Sequence, residues 1–290
     1  MKFDCESALS AWVGSPVSLS HIAGGDTHTA YRCQTNRGED YFVKACDRRR
    51  RAILRSEYES LIEINKLDAT LPYPKVIALL EEEQISLLVL EYWHLASLSE
   101  GDGARLAKAL DRQYSTSSAR FGWHKHNYIG STPQLNDWTD SWADFFVEQR
   151  LGMQLDLAVS HGLSSTLAQG MHRRLAYARD LLVEHTPQPS LVHGDLWIGN
   201  VALRSDTGQI GLFDPAPYFG DPEVDLAMTE LFGGFPNSLG YIWFAQKSGS
   251  QATKEGYERR RTIYNAYHAL NHFNLFGAAY EGMVNACLSD

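Results

Sequence analysis

From about Val17 to Leu90 the apolar residues come in short runs separated by turn formers. Tyr31–Thr35 and Tyr41–Ala45 are rich in β-formers, and Asn36-Arg37-Gly38-Glu39 between them has turn chemistry, so the pair is predicted to form an antiparallel hairpin. Between Arg51 and Lys66 the spacing changes. Ile53, Leu54, Tyr58, Leu61 and Ile62 recur at helical intervals until Leu71-Pro72-Tyr73-Pro74 ends the run, because proline has no amide proton and its ring clashes with the preceding turn. Lys75–Leu80 and Ile85–Leu90 again read as strands, joined by the acidic turn Glu81–Glu83. The first third is therefore expected to be a small antiparallel sheet with one helix.

Beyond Trp93 the pattern becomes long and amphipathic: Ala104–Tyr114, Trp138–Gly162, Thr166–Glu184 and Tyr257–Leu288 are predicted helices. The change of character near Glu91–Ser99 places the boundary between two domains at 93/94, giving 1–93 and 94–290 in an α+β chain. Leu191–Phe235 interrupts the helical part with Gly, Pro and Asp. Irregular polar segments on a rigid frame are where chemistry concentrates.

Composition narrows the function classes. The 290 residues carry 26 Lys+Arg against 35 Asp+Glu, a formal charge of −9, which excludes the basic footprint that nucleic-acid binding needs. Hydrophobic residues at 44% and charged residues at 21% are those of a globular chain long enough for about two cores. No apolar run approaches the roughly 20 residues that span a bilayer, and the start MKFDCESALS lacks a basic-then-apolar leader, so a cytoplasmic protein is expected, with no membrane partner. Cys5, Cys33, Cys46 and Cys287 form no CxxC pair and are read as reduced thiols, Cys46 as a small buried one.

The segment His193-Gly194-Asp195-Leu196-Trp197-Ile198-Gly199-Asn200, followed by Asp214 after the run Ile210–Phe213, carries the clearest chemistry. Asp195, Asn200 and Asp214 would supply hard oxygen ligands of the kind Mg²⁺ prefers, with water and phosphate completing its shell. The spacing H-x-D-x-x-x-x-N with a later Asp matches kinase-like phosphotransferases. Upstream, Lys44 ends a strand where such enzymes hold the α- and β-phosphates, and Glu57 on the next helix is placed to pair with it. Ahead of both, Gly24, Gly25, Asp26 and Thr27 form a turn whose missing side chains let backbone N–H groups approach phosphate. Taken singly, Lys44 reads as a solvated strand lysine, Asp195 as a cap and Asn200 as a turn former. The ordered set reverses that reading. Asp225 at the head of an apolar run is read as structural, His124 and His126 as loop residues, and the aromatics of Tyr257–Phe276 as core.

With these residues in place, the sequence resembles the fructosamine/ketosamine-3-kinases, within the aminoglycoside-phosphotransferase and choline-kinase branch of the protein-kinase-like fold. The resemblance runs over essentially the whole chain. Beside the residues above it rests on Phe121-Gly122, Asn127-Tyr128-Ile129-Gly130-Ser131-Thr132-Pro133-Gln134, Asn136-Asp137-Trp138, Arg150-Leu151, Asp214-Pro215-Ala216, Glu223 and Asp225–Phe235. It implies a two-lobed fold, a small nucleotide-binding sheet lobe and a larger helical lobe, and ATP-dependent phosphorylation of the sugar O3′ hydroxyl of a ketosamine. The unstable 3-phosphate would then regenerate a free amine, a repair role. Residue by residue, the resemblance implies that Asp195 accepts the hydroxyl proton and that Asn200 and Asp214 hold Mg²⁺. Lys44 and Glu57 grip phosphate, Gly24–Thr27 cover the nucleotide, and the backbone around Glu91–Trp93 binds adenine. Trp197, with Asp195 and Glu223, would meet the substrate. Asp221 stands where many relatives have histidine. Another small-molecule kinase of this fold, acting on an amino alcohol, thiosugar or aminoglycoside, and a nucleotide-binding pseudokinase are the competing readings. A protein kinase is disfavoured, since no long activation segment fits between Asp214 and Asp225.

Overall fold

The computed structural model describes residues 2–23, 28–246 and 251–288. The chain divides into two compact units, Met1–Ser97 with Ala202–Asp214, and Leu98–Val201 with Pro215–Asp290. The first unit is thus not contiguous in sequence, unlike the division expected at 93/94.

In the first unit a sheet of five strands runs in the order β1-β2-β3-β5-β4, with every neighbouring pair antiparallel. The strands are β1 (Val17–Ile22), β2 (Thr29–Thr35), β3 (Asp40–Asp47), β4 (Val76–Glu81) and β5 (Ile85–Glu91). Because side chains alternate across a strand, Val43 and Ala45 of β3 and Leu87 and Val89 of β5 share one face. That face joins Tyr31 and Cys33 in a core completed by Cys5 and Leu9 of α1 (Lys2–Val13). The sequence pattern did not predict α1; its apolar residues are not gathered on one face, and it is stabilised by the sheet it covers. The opposite face carries Lys44 and Cys46 and is covered by α2 (Arg51–Leu67), whose Leu54, Leu61 and Ile64 are buried. Cys46 is buried there, and burial pushes its thiol up to about 11.

A second, three-stranded sheet explains the discontinuity. The short strand β6 (Leu95–Ala96) pairs with β10 (Val201–Arg204), which in turn lies beside β11 (Ile210–Leu212). The Arg204 guanidinium sits 4.4 Å over the Trp93 ring, Gly211 leaves room for that ring, and the Leu212 amide donates to the Pro72 carbonyl. These pairings span more than a hundred residues of chain, so no local pattern announces them.

The second unit is mainly helical: α3 (Gly103–Tyr114), α4 (Trp142–Phe146), α5 (Met153–Ser160), α6 (Ser165–Val183), α7 (Glu223–Phe232), α8 (Leu239–Gln246), α9 (Gln251–Phe276) and α10 (Glu281–Ala286). Two small pairs, β7 (Asn127–Ile129) with β8 (Thr132–Gln134) and β9 (Ser190–Val192) with β12 (Tyr218–Gly220), are antiparallel. α9 buries Ile263, Tyr264, Tyr267, Leu270 and Phe273 at helical spacing. The helix expected from Trp138 starts only at Trp142, because Ser141 caps it by accepting the Asp144 amide at 3.2 Å. It then widens into a π-helical turn at Val147–Gly152. The expected single helix to Leu288 is interrupted at Gly277, whose φ of 79° is left-handed. Among the described residues no helix is long and apolar enough to cross a membrane.

Candidate functional site

In the first unit β3 delivers Lys44 into a buried ionic cluster. Its Nζ lies 2.7 Å from Glu57 Oε1 and also contacts Asp214 Oδ1. Burial alone would lower the ammonium, but Asp214 and Glu57 outweigh it and hold Lys44 charged above its ordinary value. Two carboxylates thus share one cation, and burial pushes the more enclosed of them, Glu57, up to about 7. Burial, with the nearby Lys44 charge, lowers His28 to about 4, so its ring is neutral at physiological pH. Asp214 adopts a φ of 51°, the left-handed region that only Asn and Asp tolerate among larger residues. Such a conformation persists where its surroundings over-determine it.

Of the stretch expected to meet adenine, the Glu91 amide is already engaged by the Lys75 carbonyl at 2.9 Å. The Trp93 ring is buried against Arg204 and Phe213. Sheet pairing thus takes that amide and packing of the β10–β11 hairpin encloses the indole; the expectation for adenine rests on the other backbone groups of Glu91–Trp93, which these contacts leave untouched. Gly24, Gly25, Asp26 and Thr27 lie outside the described residues.

In the second unit β9 leads into the loop His193–Asn200. Asn200 Nδ2 donates to the Asp195 main-chain carbonyl at 2.8 Å and to its Oδ2 at 3.2 Å, tying the amide to the carboxylate five residues earlier. Gly194 has a φ of 80°, and any Cβ there would collide with the Ala216 carbonyl. The chain can make this turn only with glycine. Trp197 is 40% exposed, with its ring folded over Gly199, where a side chain would collide with it. An exposed indole held in place offers an apolar face to a sugar ring.

Glu223 requires correction. It is 4% exposed and both its oxygens accept from Arg260, at 2.7 Å each. A carboxylate enclosed in a bidentate ion pair anchors α7 to α9 and does not present itself to a substrate. Asp221 likewise faces inward, accepting from Tyr264 at 2.6 Å and from the Glu223 amide, with His185 Nε2 at 2.7 Å.

Asp225 is the residue whose importance the sequence understated. Its carboxylate accepts the His193 amide at 2.7 Å, the Gly194 amide at 2.8 Å and the Tyr114 hydroxyl at 3.1 Å. It fixes the loop that bears Asp195. A lone acid within the otherwise apolar Val224–Met228 was the available signal, since a buried carboxylate requires donors. Burial pushes it up to about 6, against those hydrogen bonds. The folded value lies above that of an exposed aspartate, so stabilisation from this carboxyl is complete below about pH 4 and is lost as pH rises through about 6. Asp225→Asn removes the titration. Measured by urea unfolding, wild-type stability relative to the variant is expected to fall by roughly 3 kcal/mol between pH 4 and pH 7. Parallel profiles would show that the carboxyl titrates as an exposed one.

The donor chemistry suits Mg²⁺. Asn200 spends its Nδ2 on Asp195, which leaves the amide oxygen as its ligand atom. One oxygen of Asp214 is engaged by Lys44, and its side chain is 42% exposed. Each, within its own unit, is a hard oxygen donor of the kind Mg²⁺ takes beside phosphate and water.

Comparison with known proteins is consistent with this arrangement. A family profile described as fructosamine kinase matches residues 5–290. A protein named probable ketoamine kinase in Synechocystis is 39% identical over 288 residues, covering 97% of this chain and 94% of its own. The protein-ribulosamine 3-kinase of Oryza sativa, a chloroplastic protein, is 31% identical over 277 residues, covering 94% and 78%. A crystal structure from Haemophilus somnus, of a protein assigned as a fructosamine-3-kinase, superposes with a TM-score of 0.82 at 25% identity, covering 98% and 97%. The aminoglycoside phosphotransferase APH(4)-Ia, in a ternary complex with AMP-PNP and hygromycin B, has a TM-score of 0.63 at 20% identity, covering 98% and 97%. The fold is therefore the α+β, protein-kinase-like fold of these phosphotransferases.

Proposed function

The chain belongs to the fructosamine kinase family and is an ATP-dependent phosphotransferase, and from that premise we propose that it phosphorylates the sugar O3′ hydroxyl of a ketosamine, with ribulosamine, erythrulosamine and fructosamine adducts as the acceptor class. The observation that carries this reading is the loop His193–Asn200, with Asp195 tied to Asn200 and pinned through its neighbours to Asp225. The likeness to a ribulosamine kinase supports the acceptor. The product 3-phosphate decomposes to release the amine, so the role is repair of glycated amines. Four free cysteines fit a reducing cytoplasm.

In this reading Asp195 orients the acceptor hydroxyl and takes its proton late, because phosphoryl transfer has a loose transition state that asks little of a base. Lys44, kept charged in its carboxylate cluster, binds the α- and β-phosphates, and Glu57 holds it in place. Asn200 and Asp214 would hold Mg²⁺, which when bound neutralises charge on the phosphate oxygens. Trp197 offers its face to the sugar, and Gly24–Thr27 cover the nucleotide. Most of the acceleration comes from positioning and electrostatics.

A coupled ADP-release assay with Mg-ATP tests the acceptor directly, using ribulosamine, erythrulosamine, fructosamine, choline and an aminoglycoside. Turnover confined to the ketosamines is expected. Turnover with choline or the aminoglycoside and none with ketosamines would keep the fold and overturn the substrate.

A further inference from the structure

We propose that Arg150, buried with no role in the chemistry above, sets the direction of a chain of side-chain amides that positions the loop carrying Asp195; this rests on the reading of Asp195 as the proton acceptor. Arg150 is 0% exposed and enters the core on the π-helical turn Val147–Gly152. Its guanidinium lies 4.5 Å from the Phe145 ring and 4.0 Å from the Tyr218 ring. Among the described residues it has no carboxylate partner. A buried cation without an anion is costly, and its neighbours here are acceptors of a different kind: main-chain carbonyls of Leu135 and Gln149, and Asn136 Oδ1 at 2.6 Å.

That last contact fixes a polarity. A guanidinium can only donate, so the Asn136 oxygen must face Arg150 and its Nδ2 must face away. It donates to Asn127 Oδ1 at 2.9 Å. With that oxygen committed, Asn127 must turn its own Nδ2 outward, where it donates to the Pro217 carbonyl at 2.9 Å. Gln134 is held in the same sense: Nε2 donates to Asn127 Oδ1 at 2.8 Å and to the Ala216 carbonyl at 3.1 Å, while Oε1 accepts from Tyr267 at 2.6 Å. Two amides therefore end on two successive carbonyls, those of residues 216 and 217.

Those carbonyls bear on the catalytic loop. The Ala216 amide donates to the His193 carbonyl at 2.9 Å, and the Ala216 carbonyl occupies the space that a side chain at Gly194 would need. Asp225 thus holds the His193–Gly194 turn from one side, through its amides. The segment Ala216–Pro217 holds it from the other, through a carbonyl. Arg150 is a positioning residue at the head of this second support.

Asn136→Asp is the test. The new carboxylate still accepts from Arg150 but presents oxygen to Asn127, which either reverses the polarity and sets oxygen against the Pro217 carbonyl or leaves Asn127 Oδ1 facing another oxygen with only its Gln134 donor. We expect kcat for the ketosamine to fall about 10²-fold, the scale of a small misplacement of a reacting group, with KM for ATP within twofold. Hydrogen exchange of the free protein should quicken at residues 191–196 and 216–219 while α9 keeps its protection. Gln134→Leu, which strips a donor from the Ala216 carbonyl and from Asn127 Oδ1 and the acceptor from Tyr267, is read in the same way if Asn136→Asp does not fold. An unchanged kcat, or a loss of kcat accompanied by faster exchange throughout α9, would overturn the proposal. Exchange needs no substrate, so a wild-type protein silent toward ketosamines would refute the acceptor assignment while the exchange pattern still decides the relay.

Discussion

Asp195→Asn is expected to lower kcat by about 10³-fold, within the range attributed to a positioned acid or base, while the affinity for Mg-ATP stays within a few-fold of wild type. The carboxylate oxygen that meets Asn200 Nδ2 at 3.2 Å would survive in the variant as an amide oxygen, and the main-chain bond from Asn200 at 2.8 Å does not depend on the side chain. The loop is also fixed independently by Asp225. The substitution therefore removes the proposed proton acceptor and leaves its surroundings in place. Single-turnover phosphorylation measured beside nucleotide titration separates the two effects. Retention of wild-type kcat would refute the role assigned to Asp195, and a parallel loss of nucleotide binding would show that the loop itself had moved.

The second large effect is expected for Asp214→Asn. Asparagine tolerates the left-handed backbone that residue 214 adopts, at a φ of 51°, so the variant tests charge with little conformational cost, which alanine would not. Losing the carboxylate removes one of the two anions that hold Lys44. It should also relieve Glu57, whose value is raised by burial and by the Asp214 charge. Turnover is expected to fall about 10³-fold, the upper range for loss of one preorganised electrostatic contact. The more specific readout is binding. In wild type ATP should bind more tightly with Mg²⁺ than with EDTA present, and in Asp214→Asn that difference should disappear. A preserved Mg²⁺ advantage would exclude Asp214 as a ligand.

The route from sequence to site was uneven for identifiable reasons. Lys44, Glu57, Asp195, Asn200 and Asp214 stand out in the sequence because the chemistry proposed for them depends on type and order along the chain. Lys44 is found in contact with Glu57 and Asp214, and Asp195 with Asn200. Glu223 was misjudged because the same carboxylate can serve a substrate or an arginine, and its partner Arg260 lies on α9, far away in sequence. By its sequence Asp225 reads as a helix-start residue, and it does lie in the first turn of α7. Its bonds, however, go to the amides of His193 and Gly194, which no local pattern reveals. Arg150 and the amides of Asn127, Gln134 and Asn136 appeared only as parts of a resemblance, with no role attached.

The sequence by itself determined four of the five strands of the first sheet, the helix α2 and the long helices α3, α6 and α9 of the second unit, because strand and helix periodicities are local and the prolines and glycines that end them act on their own backbone. It also determined the reaction class, since a strand lysine followed by a carboxylate, an amide and a second carboxylate in that order leaves few chemistries open. Tertiary structure decided what depended on distant partners. The hairpin at 202–214 joined the first unit by pairing with β6. α1 became stable on the sheet it covers. The helix expected from Trp138 was delayed and then widened into a π-turn, and buried polar groups were assigned their partners. Desolvation makes each such partner obligatory, but its identity is a property of which surfaces meet, and chain order alone does not encode that.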